Sequence, residues 1–198
     1  MKRCTLLIPD AGPLNSLWVA DRLDLLLRLD MPIAVVDAVY DEVTSDLRHR
    51  KDAEVKAFIE RHSPPFTIEE TEIGAEERRK RKAGKPLKRN AGELAMVDFI
   101  SEEGGVQRYL RSGDPLLVLF EDRGSLRVFG KPPNMHLLST IGLLRGLQRA
   151  GIVLSANEIV REMLHPTAPG RRPEDRRAFA DLPGGTDEPA EIGSAWEP

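Results

Sequence analysis

The 198-residue chain has a single cysteine, Cys4. No internal disulfide can form and no zinc cluster is expected, and Cys4 reads as a small apolar residue beside the first strand. Aromatic residues make up only 5% of the sequence, too few for a platform on which bases stack. No apolar run approaches the roughly 18 residues that cross a bilayer. The N-terminal apolar run is also too short for a signal sequence, so a cytoplasmic protein is expected, with no membrane partner. No glycine-rich phosphate loop follows either early strand. The histidines show no metal-ligand spacing, and there is no internal repeat.

What the chain does have is 31% charged residues and 40% apolar ones, the balance of a globular domain with a real core. The formal charge of −3 is unevenly spread. Between Arg78 and Arg89 stand Arg78, Arg79, Lys80, Arg81, Lys82, Lys85, Lys88 and Arg89, with no acidic residue among them. Such a run either forms a solvated face or binds a polyanion. From His165 onward Pro, Gly and charged residues replace the apolar pattern. Residues 165–198 are expected to be a largely disordered tail, with Phe179, Leu182 and Trp196 as points where it could dock. The folded domain would then span residues 1–164.

Short apolar runs alternate with helical patterns. TLLIPD (5–10) and IAVVD (33–37) read as strands buried on both faces. After the first, Gly12 and Pro13 suggest a turn, with Asn15 or Ser16 capping a helix whose stripe runs from Trp18 to Leu29. A helix begins at Ala38. Another covers Asp52–His62 and stops at Ser63-Pro64-Pro65. Phe66–Ile73 alternates weakly, and Ala75–Ala83 can be helical. Asn90 caps a helix running to about Glu103. LLVLF (116–120) is the most apolar run of the chain. A short helix over Arg123–Phe129 and a short edge strand at Met135–Leu138 are expected next. Two helices follow, Ser139–Ala150 with a serine cap and Ser155–Leu164 with Ser155 and Glu158 spaced as a capping box. This order implies an α/β fold, a parallel β-sheet flanked by helices in an α/β/α sandwich.

In such a fold, ligands bind beyond the carboxyl ends of the strands. Asp10 and the Glu121-Asp122 pair end the first and the most apolar strands. Glu42 and Glu93 sit in helices that begin near the same edge, with Asp41 and Asp46 as alternatives to Glu42. Taken singly, each acid reads as a cap or turn residue. Together they form a cluster that persists only if protons or cations neutralise it. Oxygen-only donors select Mg²⁺ or Mn²⁺, ions that serve phosphodiester hydrolysis.

Three local motifs carry a family resemblance: DAGPLNSL at 10–17, AGELA at 91–95, and STIGLL at 139–144, where Ser139 replaces a glycine. Their order over residues 5–164 resembles the PIN domain, a family of metal-dependent ribonucleases that includes the toxins of bacterial toxin–antitoxin pairs. The resemblance implies a PIN-like fold and an endoribonuclease. Its acidic quartet would be Asp10, Glu42, Glu93 and Asp122, with Asp10, Glu93 and Asp122 on the metal. Thr140, Glu121 and Ser16 would support the site, and Glu121 competes with Asp122 for the metal-facing place. The basic residues of 78–89 would hold RNA. A small antitoxin and a homodimer are the implied protein partners. The rival expectation is a PIN-like module that binds RNA or a partner without cutting.

Overall fold

A computed structural model describes residues 4–101, 105–111, 113–121, 129 and 134–175, and the backbone of 191–192. Six strands form one sheet in the order β3-β2-β1-β4-β5-β6. They are β1 (Leu6–Pro9), β2 (Ile33–Val36), β3 (Phe66–Glu69), β4 (Leu116–Phe120), β5 (Met135–Ser139) and β6 (Glu191–Ile192). The first five are parallel to their neighbours and β6 is antiparallel to β5. Helices flank this sheet, giving the expected α/β/α sandwich. The helices are α1 (Ala11–Val19), α2 (Asp37–Val43), α3 (Arg50–Arg61), α4 (Glu72–Lys82), α5 (Ala91–Ser101), α6 (Thr140–Arg149) and α7 (Ala156–Leu164).

The central strands carry no alternation because both faces are covered. Every residue of β1, β2 and β4 is buried. Each Leu, Ile or Val so placed contributes about 1.5–3 kcal/mol of transfer free energy. Trp18, Phe66 and Phe99 are the largest fully buried side chains. They close the space between helices and sheet.

The chain winds outward from β1 through β2 to β3, then returns to the other side of β1 and winds through β4 to β5. The direction therefore reverses between β1 and β4. At such a switch point the loops leaving adjacent strands part in opposite directions and leave a crevice. The Asp10 amide donates to the Leu119 carbonyl at 2.8 Å, so the chain ends carrying Asp10 and Glu121 lie side by side at this crevice.

Several local expectations are corrected. Helix α1 starts at Ala11, directly after Asp10, so Asn15 and Ser16 are buried within the helix and do not cap it. Pro13 is no obstacle, because N–H groups of a first turn have no intrahelical partner. The apolar stripe to Leu29 is not one helix. Asp21 takes a left-handed φ of 57°, and Leu23–Leu29 form a 3₁₀ segment. Burial of Leu23, Leu26 and Leu29 has the three-residue period of that tighter helix. Helix α4 starts three residues before the expected Ala75, because the Thr71 hydroxyl accepts the Gly74 amide at 2.9 Å and supplies the cap. Ser139 and Ser155 cap α6 and α7 as expected.

Strand β5 is not an edge, since β6 pairs with it through Leu137–Ile192 and Leu138–Glu191. Residues 165–175 pack onto the body. Arg171 stacks over the Trp18 ring at 3.8 Å and pairs with Asp21 at 2.7 Å and Glu54 at 2.9 Å. Phe179, Leu182 and Trp196 lie outside the described residues, as does the expected helix over 123–129 apart from the buried Phe129.

Candidate active site at the sheet's switch point

A cleft of about 680 Å³ opens over the carboxyl ends of β1 and β4. Asp10, Glu42, Glu93 and Glu121 line it, together with Asp41 and Glu77. Asp122 lies outside the described residues, so the acid seen at the end of β4 is Glu121. The lining also includes the basic residues Arg81, Lys88 and Arg89.

Each carboxylate is delivered by a different element. Asp10 ends β1 and precedes α1. Glu121 ends β4 and is 8% exposed. Its two oxygens are held separately: Ser16 Oγ donates to Oε2 at 2.9 Å, and Thr140 Oγ1 donates to Oε1 at 2.8 Å. Both hydroxyls are fully buried. The three residues expected in a supporting role thus form one unit, drawn from α1, β4 and the start of α6. Two hydroxyl donors fix the plane of the Glu121 carboxylate.

Two glycines permit the approach of helices to this site. A Cβ on Gly12 would stand 3.0 Å from both Cβ and Oε2 of Glu121. One on Gly92 would stand 3.1 Å from Val39 Cγ2, 3.5 Å from Asp10 Oδ1 and 3.9 Å from Glu42 Oε2. Helix α5 therefore lies directly on α2 and on the end of β1, and Glu93 follows Gly92 into the cleft. The same contact favours Glu42 over Asp41 as the acid beside Asp10. Asp41 faces Arg78 at 3.8 Å instead.

Electrostatics follow from this crowding. The Asp10 carboxyl is pushed up to about 8, first by burial and then by Glu93, with Glu42 and Glu121 adding to the push against a hydrogen bond from the Ala11 amide. Burial disfavours the charged form and like charges reinforce the effect. At neutral pH the cluster therefore holds a proton that a divalent cation could replace. The donor set is all oxygen and fits a hard cation. Among the described residues, no three acids, histidines or cysteines gather tightly enough around one point to enclose an ion as they stand.

The basic run is not a uniform face free for RNA. Asp37 is buried at the start of α2 and takes Arg78 as its counter-charge at 2.5 Å, along with the Thr71 hydroxyl at 2.7 Å. A buried carboxylate requires such partners. Lys80 pairs with Glu76 and Glu77, each at 2.7 Å. Lys88 lies 3.5 Å from Glu76. Arg79, Lys82 and Lys85 are not part of the cleft lining. Asp37 ends the second apolar run just as Asp10 ends the first, and Glu77 is one charge among many on its helix, so neither stood out as a structural acid. A buried acid on a charged helix looks like any other charge until its neighbours are known.

Comparison with protein families, with curated proteins and with solved structures found no match to this chain.

Proposed function

We propose that the protein is a metal-dependent endoribonuclease, the activity implied by its resemblance to the PIN domain. The observation that carries the reading is the meeting of Asp10, Glu42, Glu93 and Glu121 in one cleft at the sheet's switch point, with the Asp10 carboxyl raised to about 8 by burial and by its acidic neighbours. Strong like-charge crowding at a ligand-binding edge is costly to a fold and is a mark of functional sites.

In this reading Asp10, Glu93 and Glu121 would hold Mg²⁺ or Mn²⁺. The metal, when bound, supplies Lewis acidity and an activated water. The chain's residues do the rest. Ser16 and Thr140 keep Glu121 in one orientation. Glu42, beside Asp10, accepts the proton of the attacking water or orients it. Arg81 and Arg89, which line the same cleft, neutralise phosphate charge and draw the polyanion in.

Asp10→Ala and Glu93→Ala are expected to abolish Mg²⁺- or Mn²⁺-dependent cleavage of RNA while circular dichroism shows an intact fold. Cleavage at the wild-type rate by either variant would sink the proposal. The rival reading is a module that binds RNA or a protein partner without cutting. Mn²⁺ separates the two. A working site gains thermal stability as the ion binds the folded state, whereas the inert module shows no shift. An antitoxin, if this is a toxin, would act by covering the cleft.

A further inference from the structure

We propose that Glu77 is a positioning residue that holds the 84–90 loop against helix α4, so that Arg89 of the loop and Arg81 of the helix together meet the phosphates of a nucleic acid strand. The inference rests on the nuclease reading for its ligand, but its structural core is independent of cleavage.

Glu77 lies on α4 and is 5% exposed. Its Oε2 accepts the backbone N–H of Lys88 at 2.7 Å, eleven residues further on. Its Oε1 takes Lys80 Nζ at 2.7 Å. The loop it reaches is otherwise tied by the Gly84 and Lys85 amides, which donate to the Arg81 and Lys80 carbonyls at 3.1 and 3.0 Å, and by the Lys88 ammonium at 3.5 Å from Glu76. Residues 81–90 are all exposed, Gly84 turns the chain with a φ of 64°, and Leu87 is 45% exposed. Apolar burial therefore does not set this loop's position.

A further carboxylate is a poor choice for a cleft that must admit a polyanion, unless its charge is used. Here it is used twice, by an ammonium and by a peptide N–H. A charge-assisted bond of this kind is stronger than a neutral one.

The surrounding acids also sort the basic run. Arg78 is engaged by Asp37, Asp41 and Glu70, Lys80 by Glu76 and Glu77, and the Lys88 ammonium by Glu76. Arg81 and Arg89 line the cleft, and neither is in an ion pair within 4 Å among the described residues. Arg81 is close enough to Asp41 to act on its titration. Two guanidinium groups thus line the same cleft as the carboxylates, and guanidinium forks suit phosphate oxygens.

Hydrogen exchange of the full chain, followed at the Lys88 amide, reads the contact directly. The amide is expected to be protected in the wild type, released in Glu77→Ala, and largely retained in Glu77→Gln, whose amide oxygen still accepts. Binding of a fluorescent single-stranded RNA in EDTA reads the consequence. Glu77→Ala should weaken binding about fivefold, the scale of one lost hydrogen bond. Arg81→Ala and Arg89→Ala should each lower the salt-dependence slope by about one. In Mg²⁺, Glu77→Ala should raise KM with kcat retained.

A Lys88 amide that exchanges freely in the wild type overturns the proposal, even if Glu77→Ala fails to fold. So does wild-type binding and salt slope in Glu77→Ala, Arg81→Ala and Arg89→Ala, or no RNA binding by the wild type. A protected Lys88 amide with RNA bound but uncut upholds the positioning role and removes the nuclease reading instead.

Discussion

Asp10→Asn in the metal-free protein is the sharpest test of the crowded cleft. The variant keeps the side chain's size and its acceptor for the Ala11 amide, and removes one charge. The Asp10 carboxyl rises from 3.8 to about 8 in the folded state. Every tenfold gain in proton affinity corresponds to about 1.4 kcal/mol, so keeping Asp10 protonated costs the fold at most about 5 kcal/mol at pH 7.5. Relaxation of the cleft and entry of water reduce this, and about 2 kcal/mol is the working expectation.

The sign follows from proton binding. Between pH 4 and pH 8 the folded state holds this proton and the unfolded state has released it. Stability is therefore greatest below the unfolded value and falls as pH rises through the folded value, with a slope of at most about 1.4 kcal/mol per pH unit. Urea unfolding in EDTA from pH 5 to pH 8.5 reads the difference. Wild type should lose stability relative to Asp10→Asn as pH rises, and the variant should be the more stable protein at pH 8. Mn²⁺ should restore the wild type at pH 7.5 and leave the variant unmoved. A wild-type-minus-variant difference that is flat across this pH range would refute the reasoning, because it would mean that Asp10 carries no excess proton.

Four further outcomes follow from the same geometry. Gly12→Ala places a methyl 3.0 Å from a Glu121 side chain held by two hydrogen bonds; overpacking of this kind should cost about 1–3 kcal/mol in chemical denaturation, and a neutral result would show that Glu121 yields. Thr140→Val leaves one buried Glu121 oxygen without its hydroxyl donor, and should cost about 1–3 kcal/mol. A Ser16→Ala/Thr140→Val cycle should be non-additive, because both hydroxyls hold one carboxylate; strict additivity would deny the shared restraint. Asp37→Ala strips Arg78 of its buried partner and should destabilise by about 3 kcal/mol, the low end for a broken buried pair because Arg78 is partly exposed; a loss under about 1 kcal/mol in urea unfolding would show that the pair is dispensable.

The architecture is legible in the sequence because its signals are local. LLIP, IAVV and LLVLF are apolar without alternation, which only a doubly covered parallel strand requires. Ser139 and Ser155 announce their helices because a cap is a contact within one turn. The start of α1 is misleading for the same reason. Gly12-Pro13 looks like a turn, and nothing local reveals that Gly12 is there to admit the Glu121 side chain. The break after Val19 is equally hidden, since a 3₁₀ segment and an α-helix bury leucines at overlapping spacings.

The site divides in the same way. That Asp10 and Glu121 end strands, and that Glu42 and Glu93 sit on the helices that follow, is a matter of sequence position. That these four share one cleft is decided by strand order, because only the reversal between β1 and β4 brings Asp10 and Glu121, far apart in the chain, to adjacent loops. Tertiary contacts also chose between neighbours. Gly92 sets α5 against Glu42, while Arg78 holds Asp41. They divided the basic run as well, tying Arg78 to Asp37 and the Lys88 amide to Glu77, and leaving Arg81 and Arg89 on the cleft wall. Burial and hydrogen bonding within a segment are written in its own residues. A charge takes its meaning from the charges beside it, and those neighbours were assembled only by the fold.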